Sequence, residues 1–534
     1  MATIRSLLRD HVSLQLRSVD RIFVAAYVPR LMTAGMVIRF LLDRGFRIPS
    51  PALFGRIGRR YVAEIEQFAA ENGIPIVRFG RRERKHEIAS PYLEQAAREG
   101  RFGVVLIGVA QERTFVWRGW RRGGSDAHPH FEFARQAAVP NHDYFYLRDP
   151  DWGPAFWKSC AYAPYGVSVW LNGHEWAKRQ AEKAGLAFEA LDNGFRACAE
   201  PEALQALCDR LSSDAIWRFF RRWEKQLPSP FSAEDRARGY RYQLAVRQLE
   251  VSDTRVFARP AAGRAWFERV IRDQLALGRP DQVALLFARR ITKATPGRFC
   301  TRVLHRGVEP ALQLHYKHSK VKQYFKEGRA LRTETTINDS HDFAIRRTVN
   351  RENWQALVRV GQEANERLLQ AQLAACECAP DATTLERVVL PSRTDGGQPA
   401  PALRFGDPRV QALLSGLCAF SHLLEGLSNR SLRTLVAGLL PGYSARQMTY
   451  DLRRLVANGF LVRIEGSHRY ELTPQGRRLA VFFAKTYARI VTPSLAELDP
   501  ALPAEIAART PLARAWHAYD HALDERIADA ALAA

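Results

Sequence analysis

Six carboxylates stand where phosphodiester chemistry could use them: Asp149, Asp151, Glu175, Asp192, Glu334 and Asp339. Two-metal cleavage needs carboxylates that converge so that two ions sit about 3.5–4 Å apart, one on the attacking oxygen and one on the leaving oxygen. Asp149 and Asp151 flank Pro150, and that run is also turn chemistry, because an aspartate side chain accepts from backbone N–H groups just downstream. Glu334 lies two residues from Arg332 in a β-rich run, where it is either an ion-paired structural carboxylate or a catalytic one. Glu334, Asp149 and Asp151 are the catalytic candidates, and a divalent metal, Mg2+ or Mn2+, is implied only if a bond is cut. His174-Glu175 lacks the second histidine of a zinc-protease helix. "HPHF" sets Pro129 between His128 and His130, which reads as a surface turn. No GxxxxGK[ST], no GxGxxG after a strand and no GxSxG occurs, which argues against nucleotide hydrolysis, dinucleotide redox chemistry and serine esterase chemistry.

Basic residues dominate the other candidate sites. "HYKHSKVKQYFKEGRALRTETTIND" offers Lys317, Lys320, Lys322, Lys326, Arg329 and Arg332 with interleaved Tyr316, Tyr324 and Phe325. On a strand, alternation sets Lys320, Lys322, Tyr324 and Lys326 on one side, a surface suited to phosphates and base stacking. The whole chain of 534 residues carries 79 Lys plus Arg against 56 Asp plus Glu, a formal charge of +23. A polyanion is therefore the expected partner: DNA first, RNA as an alternative for the central surface, and no membrane. "RIFVAAYVPRLMTAGMVIRFLL" is broken by Pro29 and Arg30, and "MATIRSLLRDHVSLQLR" is charged throughout, so neither a membrane span nor a secretory signal is expected. Seven scattered cysteines without a CxxC pair read as reduced thiols of a cytoplasmic protein. Nothing in the sequence bears on oligomeric state.

The elements that must position these residues read as a multidomain α+β protein. Residues 1–127 alternate strand and helix signals as a mixed α/β domain, with parallel pairing early and a hairpin in "FGVVLIGVAQERTFVWRGW". Residues 128–200 form an aromatic-rich β/α region, 201–300 a mainly helical region, and 301–378 basic antiparallel strands plus a long helix. Pro, Gly, Thr and Asp mark 379–406 as a linker, 407–492 follows as a compact domain, and 493–534 as a helical tail.

In 407–492, Ser444 with Gln447 three residues on is a capping box, and Met448, Leu452, Leu455 and Val456 share one face of the helix it starts. "FLVRIEGSHRYELT" then alternates around Glu465-Gly466-Ser467 as a hairpin. This order of helices and hairpin, and the run "NGFLVRIEGSHRYELTPQGRRLA", resemble the winged helix of MarR-type bacterial regulators. That resemblance implies DNA contact by Arg446, Gln447, Tyr450, Arg453 and Arg454, and wing contact by His468 and Arg469. "VKQYFKEG" with "LRTETTI" is similar, over some twenty-five residues, to a segment of filamentous-phage and plasmid rolling-circle replication initiators. "NGHEWAKRQ", "ALDNGF" and "GRALRTETTIND" resemble an uncharacterised bacterial family. The expected function is DNA processing or mobile-element work, as a replication initiator, recombinase or nuclease. The alternatives are a non-enzymatic regulator and an RNA-binding scaffold.

Overall fold

A computed structural model describes residues 11–125, 129–261, 295–306, 309–376, 399–404, 406–418 and 426–487, with scattered positions in 263–289, 388–393 and 515–525. His128, most of the expected linker and nearly all of the expected tail lie outside the described residues. The chain divides into two compact units at Leu368/Leu369, inside a helix and ahead of the 379–406 stretch. Among the described residues no helix is long and apolar enough to cross a membrane.

The larger unit begins with the 16-residue β1 (Val12–Tyr27), helices α1 (Ala34–Asp43) and α2 (Ala52–Glu71), β2 (Ile76–Arg78), α3 (Lys85–Arg98) and β3 (Gly103–Gln111). The pair β4 (Thr114–Gly124) and β5 (Pro129–Ala138) follows, then β6 (Asn141–Asp149), β7 (Gly153–Cys160) and β8 (Val167–Asn172). Next come α4 (Gly173–Lys183), β9 (Phe188–Leu191), β10 (Gly194–Cys198), α5 (Pro201–Asp209), α6 (Ser213–Gln226) and α7 (Ala233–Ala237). The long β11 (Gln243–Phe257), the strands β12 (Arg298–Arg306), β13 (Glu309–Lys317), β14 (Ser319–Lys326) and β15 (Ala330–Ile337), and α8 (Arg351–Cys376) complete it; α8 is the helix in which the units divide.

Eleven of these strands form one mixed sheet in the order β12-β13-β14-β15-β11-β1-β8-β7-β6-β3-β2. Among the described residues only β2 and β3 pair in parallel. Strands from all four stretches between residues 1 and 378 therefore share a single sheet. The stretch expected to be mainly helical supplies β11, whose burial on both sides comes from its central place between β1 and β15. The run "FGVVLIGVAQERTFVWRGW" makes two strands but not a hairpin: β3 joins the large sheet and β4 pairs with β5 instead.

The smaller unit holds β16 (Ser392–Arg393), β17 (Pro399–Ala400), α9 (Pro408–Leu417), β18 (Leu427–Ser428), α10 (Asn429–Leu439), α11 (Ala445–Ala457), β19 (Leu461–Arg463), β20 (Arg469–Leu472) and α12 (Pro474–Thr486). Ser428 and Ser444 each start a helix through a capping box, with Ser431 and Gln447 as the reciprocal partners. The apolar stripes of α9, α10, α11 and α12 meet in one core that includes Leu413, Leu432, Met448, Leu455 and Phe483. Strands β18, β20 and β19 close one side of it as a small sheet. On α11 the buried face is Met448, Asp451, Leu452 and Leu455, whereas Val456, assigned to that face from sequence, is 39% exposed. Asp451 takes the remaining buried place because Arg409 and the Tyr443 hydroxyl hold its carboxylate.

Candidate metal centre

Three carboxylates from three adjacent strands converge in the large sheet. Glu334 on β15 faces Ser252 of β11, two residues from Glu250, so the two glutamates are diagonal neighbours on one face. On β1 the register shifts between Val19 and Ile22 while β11 advances only from Val251 to Leu249, so Asp20 and Arg21 both oppose Glu250. This is a β-bulge, and bulges re-aim side chains. Asp20 turns inward and is fully buried, while the Arg21 side chain stays 56% exposed with its Nε 3.6 Å from Glu250 Oε2. One carboxylate oxygen from each of Asp20, Glu250 and Glu334 lies within 4.8 Å of the others.

Each carboxylate has an anchor that leaves part of it unused. The Thr336 hydroxyl donates to Glu250 Oε1 at 2.7 Å, and the Tyr324 hydroxyl to Glu334 Oε1 at 2.7 Å. Asn193 donates to Asp20 Oδ1 at 2.7 Å, but Asp20 Oδ2 is buried without a hydrogen-bond donor. A buried carboxylate oxygen without a donor costs free energy unless a cation meets it. Arg332 Nη1 comes only to 3.8 Å from it.

The electrostatics follow from crowding. Burial, then the negative charges of Glu250 and Asp20, push Glu334 up to about 7. Burial and Asp20 also raise Glu250. Burial opposes charge on Asp20 too, yet His174 when protonated, Arg332 and the Asn193 amide hold it below the usual carboxylate range. His174 is itself pushed down to about 3, by burial and then by Arg332, so its ring is neutral near pH 7. Arg332 Nη2 donates to its Nε2 at 2.6 Å, which leaves the ring proton on Nδ1, 3.3 Å from Ser18 Oγ.

The sequence runs "NGHEWAKRQ", "ALDNGF" and "GRALRTETTIND" meet at this point. Asn172 caps α4 by accepting from the His174 and Glu175 amides, and its own amide donates to Asn193, which in turn holds Asp20. A Cβ on Gly173 would lie 2.2 Å from the Val19 carbonyl oxygen, so only glycine lets α4 start against the bulge and bring His174 over it. Gly194, at φ +140°, leaves the space that the Arg332 guanidinium fills.

The candidates named from sequence divide into distinct groups. Glu334 belongs to the centre. Asp149 and Asp151 do not: Asp149 accepts from the Asp151 and Trp152 amides, from Arg222 and from the Trp223 indole, and Asp151 pairs with Arg222 and Lys183. All of Asp149's acceptor capacity is committed to the β6–β7 turn and its junction with α6, so the pair is structural. Asp339 caps a short turn of helix, and Asp192 lies near Lys326. Arg332, expected at a nucleic-acid surface, is 1% exposed and serves the centre from inside. Lys320, Lys322, Tyr324 and Lys326 do share one side of β14, and it is largely buried rather than open, the Lys326 side chain being 13% exposed. Of these, Lys322 lies opposite Glu334 with its ammonium 3.8 Å over the Tyr324 ring, and burial holds it below its ordinary value. Lys317 sits at the β13–β14 turn, and Arg329 is exposed before β15.

In the smaller unit Arg446, Tyr450 and Arg453 are exposed on α11, and His468 and Arg469 on the β19–β20 hairpin. Gln447 is committed to its cap, its Oε1 accepting from the Ser444 amide. Arg454 departs from the expected outward role, because it donates to the carbonyls of Pro401 and Ala402. Asp20 and Glu250 had escaped the sequence reading. The visible signals were an aspartate inside the apolar run "SVDRIFVAAYV" and the alternation of "LEVSDTRVF", which ran through a stretch read as helix. His130 lies on β5, outside the centre. No family model, curated protein or solved structure matches the chain.

Proposed function

We propose that this protein processes DNA, cutting phosphodiester bonds with a divalent cation held by Asp20, Glu250 and Glu334 while its smaller unit grips duplex DNA. The observation that carries the reading is the convergence of three buried carboxylates around an Asp20 oxygen without a donor. Oxygen-only ligation suits Mg2+ or Mn2+. A cation there would acidify a bound water and stabilise charge on the phosphoryl oxygens. With such a cation bound, a water would be the nucleophile for phosphorus, its proton passing to solvent, and Lys322, with its lowered proton affinity, would protonate the ester oxygen that leaves and be recharged from solvent.

The order of helix, short strand, two helices, hairpin and helix in residues 408–486 supports a winged-helix reading of the smaller unit. So do exposed Arg446, Tyr450 and Arg453 on α11 and the basic hairpin tip. A bacterial cytoplasmic setting, as for a mobile-element or replication protein, fits five cysteines without disulfides among the described residues. A non-enzymatic regulator is the second reading, and Arg332 favours it: its Nη1 lies 3.8 Å from Asp20 and 3.6 Å from Glu334, a partial neutralisation that needs no metal.

Incubation with supercoiled and single-stranded DNA plus Mg2+ or Mn2+ decides between them. Nicking by the native chain, reduced by at least about 100-fold in Asp20→Asn and Glu334→Gln, is expected for loss of a metal-ligand or charge-stabilising group. DNA binding without metal-dependent nicking would leave the regulator.

A further inference from the structure

The β4–β5 ribbon stands outside both the large sheet and the metal centre. Among the described residues its strands pair only with each other, from Thr114↔Ala138 out to Gly124↔Pro129. The base is fixed: Val116 and Trp117 are buried, the Trp117 indole donates to the Leu31 carbonyl at 2.8 Å, and Phe133 packs edge-on against Phe54. Beyond Gly119 that packing thins, with Phe131 and Glu132 only partly buried. Trp120, Arg121, Arg122, Gly123 and Gly124 are exposed on one strand, and His130 on the other. At about 3.3 Å per residue the stretch from Gly119 to Gly124 extends roughly 17 Å past the packed base.

Two-stranded ribbons are marginal in water without a covering layer. The chemistry of this one indicates what covers it. The described residues 113–125 and 129–136 carry Arg113, Arg118, Arg121, Arg122 and Arg135 against Glu132. Arg122 is paired with Glu132 at 2.6 Å, but both side chains are about half exposed or more, and such pairs exchange readily for a stronger anion. A ribbon fits the major groove, which is about 12 Å wide, with arginines on the flanking phosphates and a ring such as Trp120 against base edges or sugars. The irregularity between Arg121 and Gly123 increases twist near the tip, as following a groove requires.

We propose that the β4–β5 ribbon is a second DNA-binding arm, inserted into the major groove of duplex DNA independently of the smaller unit. The proposal rests on the DNA reading above and adds a contact site to it. The test is a salt titration of the full-length chain binding a labelled duplex of mixed sequence. Arg118→Ala with Arg122→Ala should weaken binding at least tenfold near 0.1 M salt and reduce the slope of log affinity against log salt by about two. Trp120→Ala should weaken binding with the slope kept. These side chains are exposed, so an unchanged thermal melt confirms that each variant is folded. Native affinity and slope in all three substitutions, with loss in Arg446→Ala and Arg453→Ala, overturns the arm and spares the DNA reading. A native chain that binds no duplex overturns both.

Discussion

Glu334 is the residue at which the chemistry of the centre can be read from stability. Its folded proton affinity, near 7, lies above the 4.5 of an unstrained glutamate, because burial and two neighbouring carboxylates oppose its charge. The folded state therefore binds more protons than the unfolded state between those values, and stability falls as pH rises from about 4.5 through about 7. The loss is on the order of 3 kcal/mol, and a cation in the centre should abolish most of it. Urea denaturation across pH 4–8 is expected to show this decline, and Glu334→Gln to flatten it. Mn2+ is expected to raise the melting temperature more at pH 8 than at pH 5. Equal metal effects at both pH values would detach the cation from these carboxylates. The structural role of Asp149 implies the contrasting result: Asp149→Asn should cost about 2–4 kcal/mol through the Arg222 and Trp223 contacts, with metal-dependent melting shifts kept.

At the scale of elements, the centre depends on the junction of α4 with the β1 bulge. Gly173→Ala would drive a methyl group to 2.2 Å from the Val19 carbonyl oxygen, so α4 must move or β1 must. A cost of at least about 2 kcal/mol in denaturation is expected, together with loss of the metal-dependent melting shift, since His174 and the Asn172–Asn193–Asp20 chain move with the helix. Ala184→Gly at the other end of the helix should leave that shift in place. Helix α4 itself was legible in the sequence, from "GHEWAKRQAEKAG" and the Gly185 that closes it. Its contact with β1 was not, because residues 19 and 173 meet only through pairing of β1 with β8. The side of β14 that Lys320, Lys322, Tyr324 and Lys326 share was legible, since strict alternation has only one periodicity. Strand β11 was missed because flanking amphipathic helices set the pattern of the stretch.

For the whole molecule, a formal charge of +23 makes salt the first variable of any binding experiment. Full-length protein on duplex DNA is expected to lose affinity steeply between about 50 and 200 mM salt. Arg446→Ala with Arg453→Ala should lower the slope by about two, whereas Arg454→Ala should leave it unchanged, since Arg454 is spent on the carbonyls of Pro401 and Ala402. Fluorescence anisotropy over that range measures both. What the sequence by itself determined was local: charge, caps, alternation, the helix and hairpin signals of residues 428–480, and Glu334 as a carboxylate in an unusual place. Each depends on neighbours a few residues apart. The centre was decided by tertiary structure alone, because Asp20, Glu250 and Glu334 lie more than 80 residues from one another along the chain and meet only where antiparallel pairing and one bulge place three strands side by side.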